Sequence, residues 1–112
     1  MSNTQLENLI SDIGAGIRAI MYECMIEVVL YGSYARGDFD DESDVDVAVV
    51  ADRDRMELKK YRHDIVHLMS SLSMKYDTVV SITCIPSSDY EAYKEILPYY
   101  RNIDEEGVRI VA

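Results

Sequence analysis

The chain has 112 residues, of which 21 are acidic and 11 are basic, so its formal net charge at pH 7 is −10. A chain of this length can bury one hydrophobic core, and we expect a single domain over residues 1–112. A surface this acidic repels the phosphates of nucleic acid, so direct nucleic-acid binding is not expected. No segment has the length and apolarity of a membrane span and no signal peptide is recognisable, which predicts a cytoplasmic protein without membrane contact.

The hydrophobic pattern predicts helices and strands in a definite order along the chain. These are a helix over residues 4–23, a strand over Ile26–Tyr31, a short helix over Ser33–Arg36, a strand that carries Asp44 and Asp46, a helix over about 53–74, a strand over Thr78–Ile85, and a helix that begins near Ser87 and runs towards Leu97. Gly107 is a predicted helix stop in the tail. Cys24 and Cys84 lie in apolar contexts, so we expect reduced core residues rather than a disulfide.

The most informative motif joins a Gly-Ser turn to a pair of carboxylates. Gly32-Ser33 is followed, after ten residues, by Asp44-Val45-Asp46. Side chains on a strand alternate between its faces, so Asp44 and Asp46 project to the same side, roughly 6–7 Å apart at Cα. Two neighbouring carboxylates repel each other unless a cation lies between them, and Mg²⁺ binds one or two carboxylates together with waters and substrate phosphates. The pair is therefore a predicted Mg²⁺ site.

The residues before the pair have the properties of a phosphate-binding turn. Gly32 allows a ligand to approach the backbone closely, and Ser33 offers a hydroxyl together with the first amides of the short helix. Arg36 could reach a phosphate or hold the loop. Phosphate binding next to a metal-binding pair is what chemistry on a nucleoside triphosphate requires.

These residues closely resemble the nucleotidyltransferase superfamily, in which Gly-Ser precedes an Asp-x-Asp strand. Within it the chain looks like the minimal nucleotidyltransferases, antitoxins whose partner toxin is a HEPN-domain ribonuclease. The resemblance implies an α/β (α+β) fold with a mixed sheet flanked by helices. It also implies Mg²⁺-dependent transfer of a nucleoside monophosphate, with ATP as the usual donor. In the antitoxin group the acceptor is a tyrosine hydroxyl of the toxin, so the resemblance implies a hetero-oligomer with that partner.

The superfamily normally supplies a third carboxylate from a neighbouring strand, as metal ligand and base, and the chain departs from that pattern. The candidate strand, Thr78–Ile85, contains no acid. Asp77 precedes it and shares side-chain parity with Ser81, so it could face the same side as Asp44 and Asp46. We therefore name Asp77 as the third ligand and base. The alternative is a turn residue between a helix and the strand.

Three functions remain open on the sequence. The first is a protein adenylyltransferase that modifies its toxin, and the intact Gly-Ser and Asp-x-Asp elements favour it. The second is an antitoxin that blocks its toxin by contact through a weak or idle site, which the missing acid in the third strand favours. The third is a nucleotidyltransferase that acts on a small molecule.

Overall fold

A computed structural model describes residues 1–111. Its elements are α1 (Asn3–Met21), β1 (Met25–Tyr31), α2 (Ser33–Arg36), β2 (Val45–Ala51), α3 (Arg55–Leu58), a 3₁₀ turn (Lys59–Tyr61), α4 (Arg62–Tyr76), β3 (Val80–Pro86), α5 (Ser87–Tyr93), α6 (Pro98–Glu106) and β4 (Val108–Val111). The predicted strands and the short helix after β1 are present, with boundaries that differ by one or two residues.

The four strands form one mixed sheet in the order β3-β2-β1-β4. β1 runs antiparallel to β2 and to β4, whereas β2 and β3 are parallel. The mixed sheet flanked by helices is confirmed. Its register places Asp46 of β2 between Tyr31 of β1 and Ser81 of β3.

Hydrophobic side chains cover both faces of β2, which is buried at every position except Asp46. On one face, Val47 and Val49 belong to the cluster that contains Ile13 of α1. On the other face, Ala48 packs in the cluster formed with residues of α5 and α6. Because β2 is covered on both sides and flanked by β1 and β3, it holds its single half-buried carboxylate on a rigid support.

Helix α1 is amphipathic and begins with a capping box in which Ser2 and Gln5 bond each other's backbone N–H groups. Its buried side chains recur at helical spacing: Leu9, Ile13, Ile17 and Met21. The opposite side is polar. Within residues 1–111, no helix combines the length and the apolarity needed to cross a membrane.

Two predicted helices differ from the structure. The helix expected over about 53–74 is divided by the 3₁₀ turn, and its last part continues to Tyr76. A 3₁₀ turn aligns residues three apart, and here it allows Leu58 and Tyr61 to be buried together. The helix expected to run towards Leu97 ends at Tyr93, and Pro98, whose fixed φ suits a first helical position, begins α6.

Candidate active site

The turn between β1 and β2 begins at Gly32, which has φ of 76°. Its carbonyl accepts hydrogen bonds from the N–H groups of Ala35 and Arg36, both at 3.1 Å, and these bonds close the first turn of α2. Gly37 ends the helix with φ of 82°. The left-handed region at both positions favours glycine, so the sequence itself specifies this short turn.

Gly32 lies directly against one carboxylate of the Asp-x-Asp pair. A Cβ atom on Gly32 would be 2.7 Å from Oδ2 of Asp46. The contact follows from the register, in which Asp46 is paired with Tyr31, the residue before Gly32. The two halves of the sequence motif therefore meet in space.

The two carboxylates have different surroundings. Asp44 is exposed just before β2, whereas Asp46 is half-buried on the strand. Burial, and then the negative charge of Asp44, raise the pKa of Asp46 above its ordinary value. A cation between the two carboxylates would remove this penalty, and Mg²⁺ favours a site of one or two carboxylates. The residues present therefore fit the predicted metal.

Asp77 lies at the end of α4 and not in a strand. Its φ and ψ of 50° and 49° are left-handed, and its N–H bonds the carbonyl of Ser73. Its side chain lines a shallow pocket together with Asp44. Among the residues the structure describes, however, no three His, Cys, Asp or Glu side chains are grouped closely enough to hold a metal ion. The conformation seen is that of a helix-ending turn residue, and ligation by Asp77 stays a prediction.

Two residues of β3 that face the same way as Asp46, Ser81 and Thr83, carry hydroxyl groups. Ser81 pairs with Asp46 and Thr83 pairs with Ala48, and paired residues of neighbouring strands point to the same face. Thr83 is exposed. The sequence has no acidic residue within this strand. The register shows that Ser81 is the residue of β3 next to Asp46.

Two tyrosines adjoin the site, and the sequence did not indicate their proximity. The hydroxyls of Tyr31 and Tyr99 are 2.9 Å apart, and the rings meet edge to face with centroids 5.7 Å apart. Burial raises the pKa of Tyr31, with smaller contributions from the Tyr99 hydroxyl and the charge of Asp46. The two residues are 68 positions apart, so no local pattern could have paired them.

Arg36, named as a possible phosphate ligand or loop support, contacts carboxylates in this structure. Its Nε is 3.2 Å from Asp38 and its Nη1 is 3.4 Å from Glu106 of α6. The buried Tyr34 stacks on the exposed Phe39 of the same loop with ring centroids 4.3 Å apart. The contact with Glu106 ties the loop to α6, while phosphate binding by Arg36 stays a prediction.

The mixed sheet places Asp46 of the Asp-x-Asp pair against Gly32, and known proteins share this fold. The nucleotidyltransferase domain family matches residues 19–111, and the chain belongs to this family.

Two Methanocaldococcus jannaschii proteins, named "Putative protein adenylyltransferase MJ0141" and "Putative protein adenylyltransferase MJ0604", are similar to this chain. The first is 36% identical over 77 residues, covering 69% of this chain and 76% of its own. The second is 33% identical over 81 residues, covering 72% and 73%. The chain is therefore a nucleotidyltransferase.

Solved structures share the fold at low sequence identity. A crystal structure of a toxin–antitoxin with AMP-PNP matches with a TM-score of 0.61 at 18% identity, covering 90% of this chain and 71% of that one. A structure described as a "putative minimal nucleotidyltransferase" matches with a TM-score of 0.57 at 22% identity, covering 96% and 98%.

Proposed function

We propose that this protein is an antitoxin that transfers AMP from ATP to a tyrosine hydroxyl of a HEPN-domain toxin. The observation that carries the proposal is the contact between Gly32 and Asp46, which joins a phosphate-binding turn to a metal-binding carboxylate. Similarity to proteins named as adenylyltransferases supports a protein acceptor. The fold shared with a toxin–antitoxin structure that contains AMP-PNP is in keeping with the proposed donor and partner.

Each site residue has a role in the proposed reaction. Asp44 and Asp46 would hold Mg²⁺, which would neutralise charge on the triphosphate. Gly32 and Ser33 receive the phosphates, and Arg36 is available to them if it leaves its carboxylate partners. The acceptor oxygen forms a bond to the α-phosphorus while the bond from that phosphorus to the pyrophosphate oxygen breaks. The hydroxyl proton passes to a carboxylate, for which Asp77 is our candidate, or to water.

The open side of the site suits a large acceptor. Asp44 and Thr83 are exposed, so this part of the sheet face is reachable from solvent. Helices α5 and α6 cover the face over Ala48, Val50 and Ile85 instead. A protein that presents a tyrosine could therefore cover the site and exclude water, which strengthens the electrostatic interactions inside it.

A second candidate is an antitoxin that neutralises its partner by contact through a weak or idle site. The specific observation in its favour is Ser81, which places a hydroxyl rather than a carboxylate beside Asp46 on β3. A nucleotidyltransferase for a small molecule is a third possibility, because the same carboxylate pair would serve it.

The position of the radioactive phosphate distinguishes these functions. The chain is incubated with Mg²⁺, the protein encoded beside it, and ATP labelled on either the α- or the γ-phosphate. Nucleotidyl transfer gives label on the partner from α-labelled ATP alone. Label from γ-labelled ATP would indicate phosphoryl transfer, and an unlabelled partner in a stable complex would indicate neutralisation by contact.

A further inference from the structure

A groove of about 330 Å³ lies beside β3, and neither Asp44 nor Asp46 lines it. Its apolar floor includes Ile65 and Met69 of α4 and Ile82 of β3. Val66, which also lines the groove, is 46% exposed although it is aliphatic. Apolar surface of this kind at the edge of a sheet is available to a partner.

The rim of the groove is basic in a strongly acidic protein. Arg55, Lys59 and Arg62 line it, and no carboxylate does. Residues 53–62 contain five of the eleven basic residues of the chain and carry a net charge of +3, against −10 for the whole. A basic surface attracts an acidic partner, and most of the remaining molecular surface would repel one.

Two of the three rim cations have no ion-pair partner within residues 1–111. Arg55 is paired with Asp89 at 2.8 Å. Over the described part of the chain, neither Lys59 nor Arg62 lies within ion-pair distance of a carboxylate. Both side chains are exposed and remain free to pair with acidic groups brought by another molecule.

The edge of β3 is protected against the addition of a strand. Val45 N–H bonds the Val79 carbonyl. The backbone N–H groups of Val80 and of every second residue after it therefore point away from β2, towards the open edge of the sheet. On that side, Val80 N–H bonds Ser73 Oγ at 3.0 Å and Ile82 N–H approaches Met69 Sδ at 3.1 Å. Pro86 has no N–H to donate. An occupant therefore binds through side chains, which favours a helix in the groove over an added strand.

We propose that this groove docks an acidic amphipathic helix of the acceptor protein. Aliphatic side chains of the helix would pack on the floor, and its carboxylates would face Lys59 and Arg62. The partner's identity, though not the surface, rests on the proposed function. Thr83 lines the groove and also lies on the face that carries Asp46, so a docked protein would lie beside the active site.

The test measures binding without nucleotide, by calorimetry, between the full chain and the protein encoded beside it. Lys59→Glu combined with Arg62→Glu reverses the two unpaired rim cations. Arg18→Glu, an exposed arginine of α1, is the control for charge. We expect the double variant to weaken binding by about tenfold or more and the control to change it less than about twofold. Added salt should weaken the wild-type complex more than the variant complex.

Each outcome bears on the proposal. Equal affinity of the wild type and the double variant would overturn the docking surface, even if label transfer succeeds. A charge-dependent complex without label transfer would support the surface and contradict the enzymatic function. Absence of any complex would contradict both. Self-association that the double variant abolishes would identify a second copy as the occupant and overturn the proposal.

Discussion

The Oδ2 atom of Asp46 lies 2.7 Å from the point where a Cβ of residue 32 would be, so this carboxylate packs on the bare Cα of Gly32. The position of Asp46 depends on the register between β1 and β2. The space that the carboxylate occupies exists because residue 32 is glycine. Together they bring the proposed phosphate-binding turn and Asp46, one residue of the proposed metal-binding pair, within contact distance.

Gly32→Ala should abolish or strongly reduce nucleotidyl transfer, by about a hundredfold or more, because the new methyl group displaces the Asp46 carboxylate. Gly32 has φ and ψ of 76° and −154°, a region almost restricted to glycine, so the backbone cost of alanine there is about 1–3 kcal/mol. Gly37→Ala is a matched control, since Gly37 also has positive φ but has open space around its Cα. It should lose about 1–2 kcal/mol of stability, because its φ and ψ of 82° and 8° are left-handed, and it should keep transfer. Equal loss of transfer in both variants would mean that backbone strain, and not the contact with Asp46, is responsible.

Asp46→Asn should stabilise the metal-free protein at neutral pH while it abolishes transfer. Burial and Asp44 raise the pKa of Asp46, so the ionised carboxylate lowers the stability of the fold as pH rises through that pKa. The melting temperature in EDTA should rise by about a few degrees, and added Mg²⁺ should stabilise the wild type but not the variant. Asp52→Asn, which removes one exposed charge, is the control. An Asp46→Asn protein that melts lower in EDTA would contradict this account.

Asp77→Gly should stabilise the protein by about 0.5–1 kcal/mol, because glycine adopts the left-handed conformation that ends α4 more easily than aspartate. Thermal unfolding checks this. The same variant tests the proposed third ligand, whose loss should lower transfer by about tenfold or more. Transfer at the wild-type rate would restrict Asp77 to its role at the end of the helix.

Asp12→Asn should destabilise the contact between α1 and α4 in a pH-dependent way. The Tyr76 hydroxyl, at 2.6 Å, and then Lys75, at 2.9 Å, hold the pKa of Asp12 below its ordinary value. A lowered pKa contributes stability above the unfolded-state value, and that contribution disappears as pH falls through the folded-state value. The variant should melt about 2–4 °C lower at pH 7, and the difference should shrink below about pH 4. Glu7→Gln, which removes an exposed charge from the same helix, is the control.

Local pattern was enough to predict the motif but not its surroundings. Strand alternation predicted that Asp44 and Asp46 lie near each other, and Gly32 predicted a tight turn, because both predictions depend on residues near in sequence. The neighbours of Asp46 depend on strand register, which brings Ser81 beside it from 35 positions away. The 3₁₀ turn at Lys59–Tyr61 depends on packing that helical periodicity cannot show.

The most direct test of the central claim is the intact mass of both chains after incubation with ATP and Mg²⁺. Wild-type protein and the Asp44→Asn/Asp46→Asn double variant are compared, each with the protein encoded beside the chain. We predict that the partner gains one or more adenylyl groups on a tyrosine with the wild type only. An unmodified partner, or equal modification by the double variant, would contradict the assignment of Asp44 and Asp46 to the transfer site.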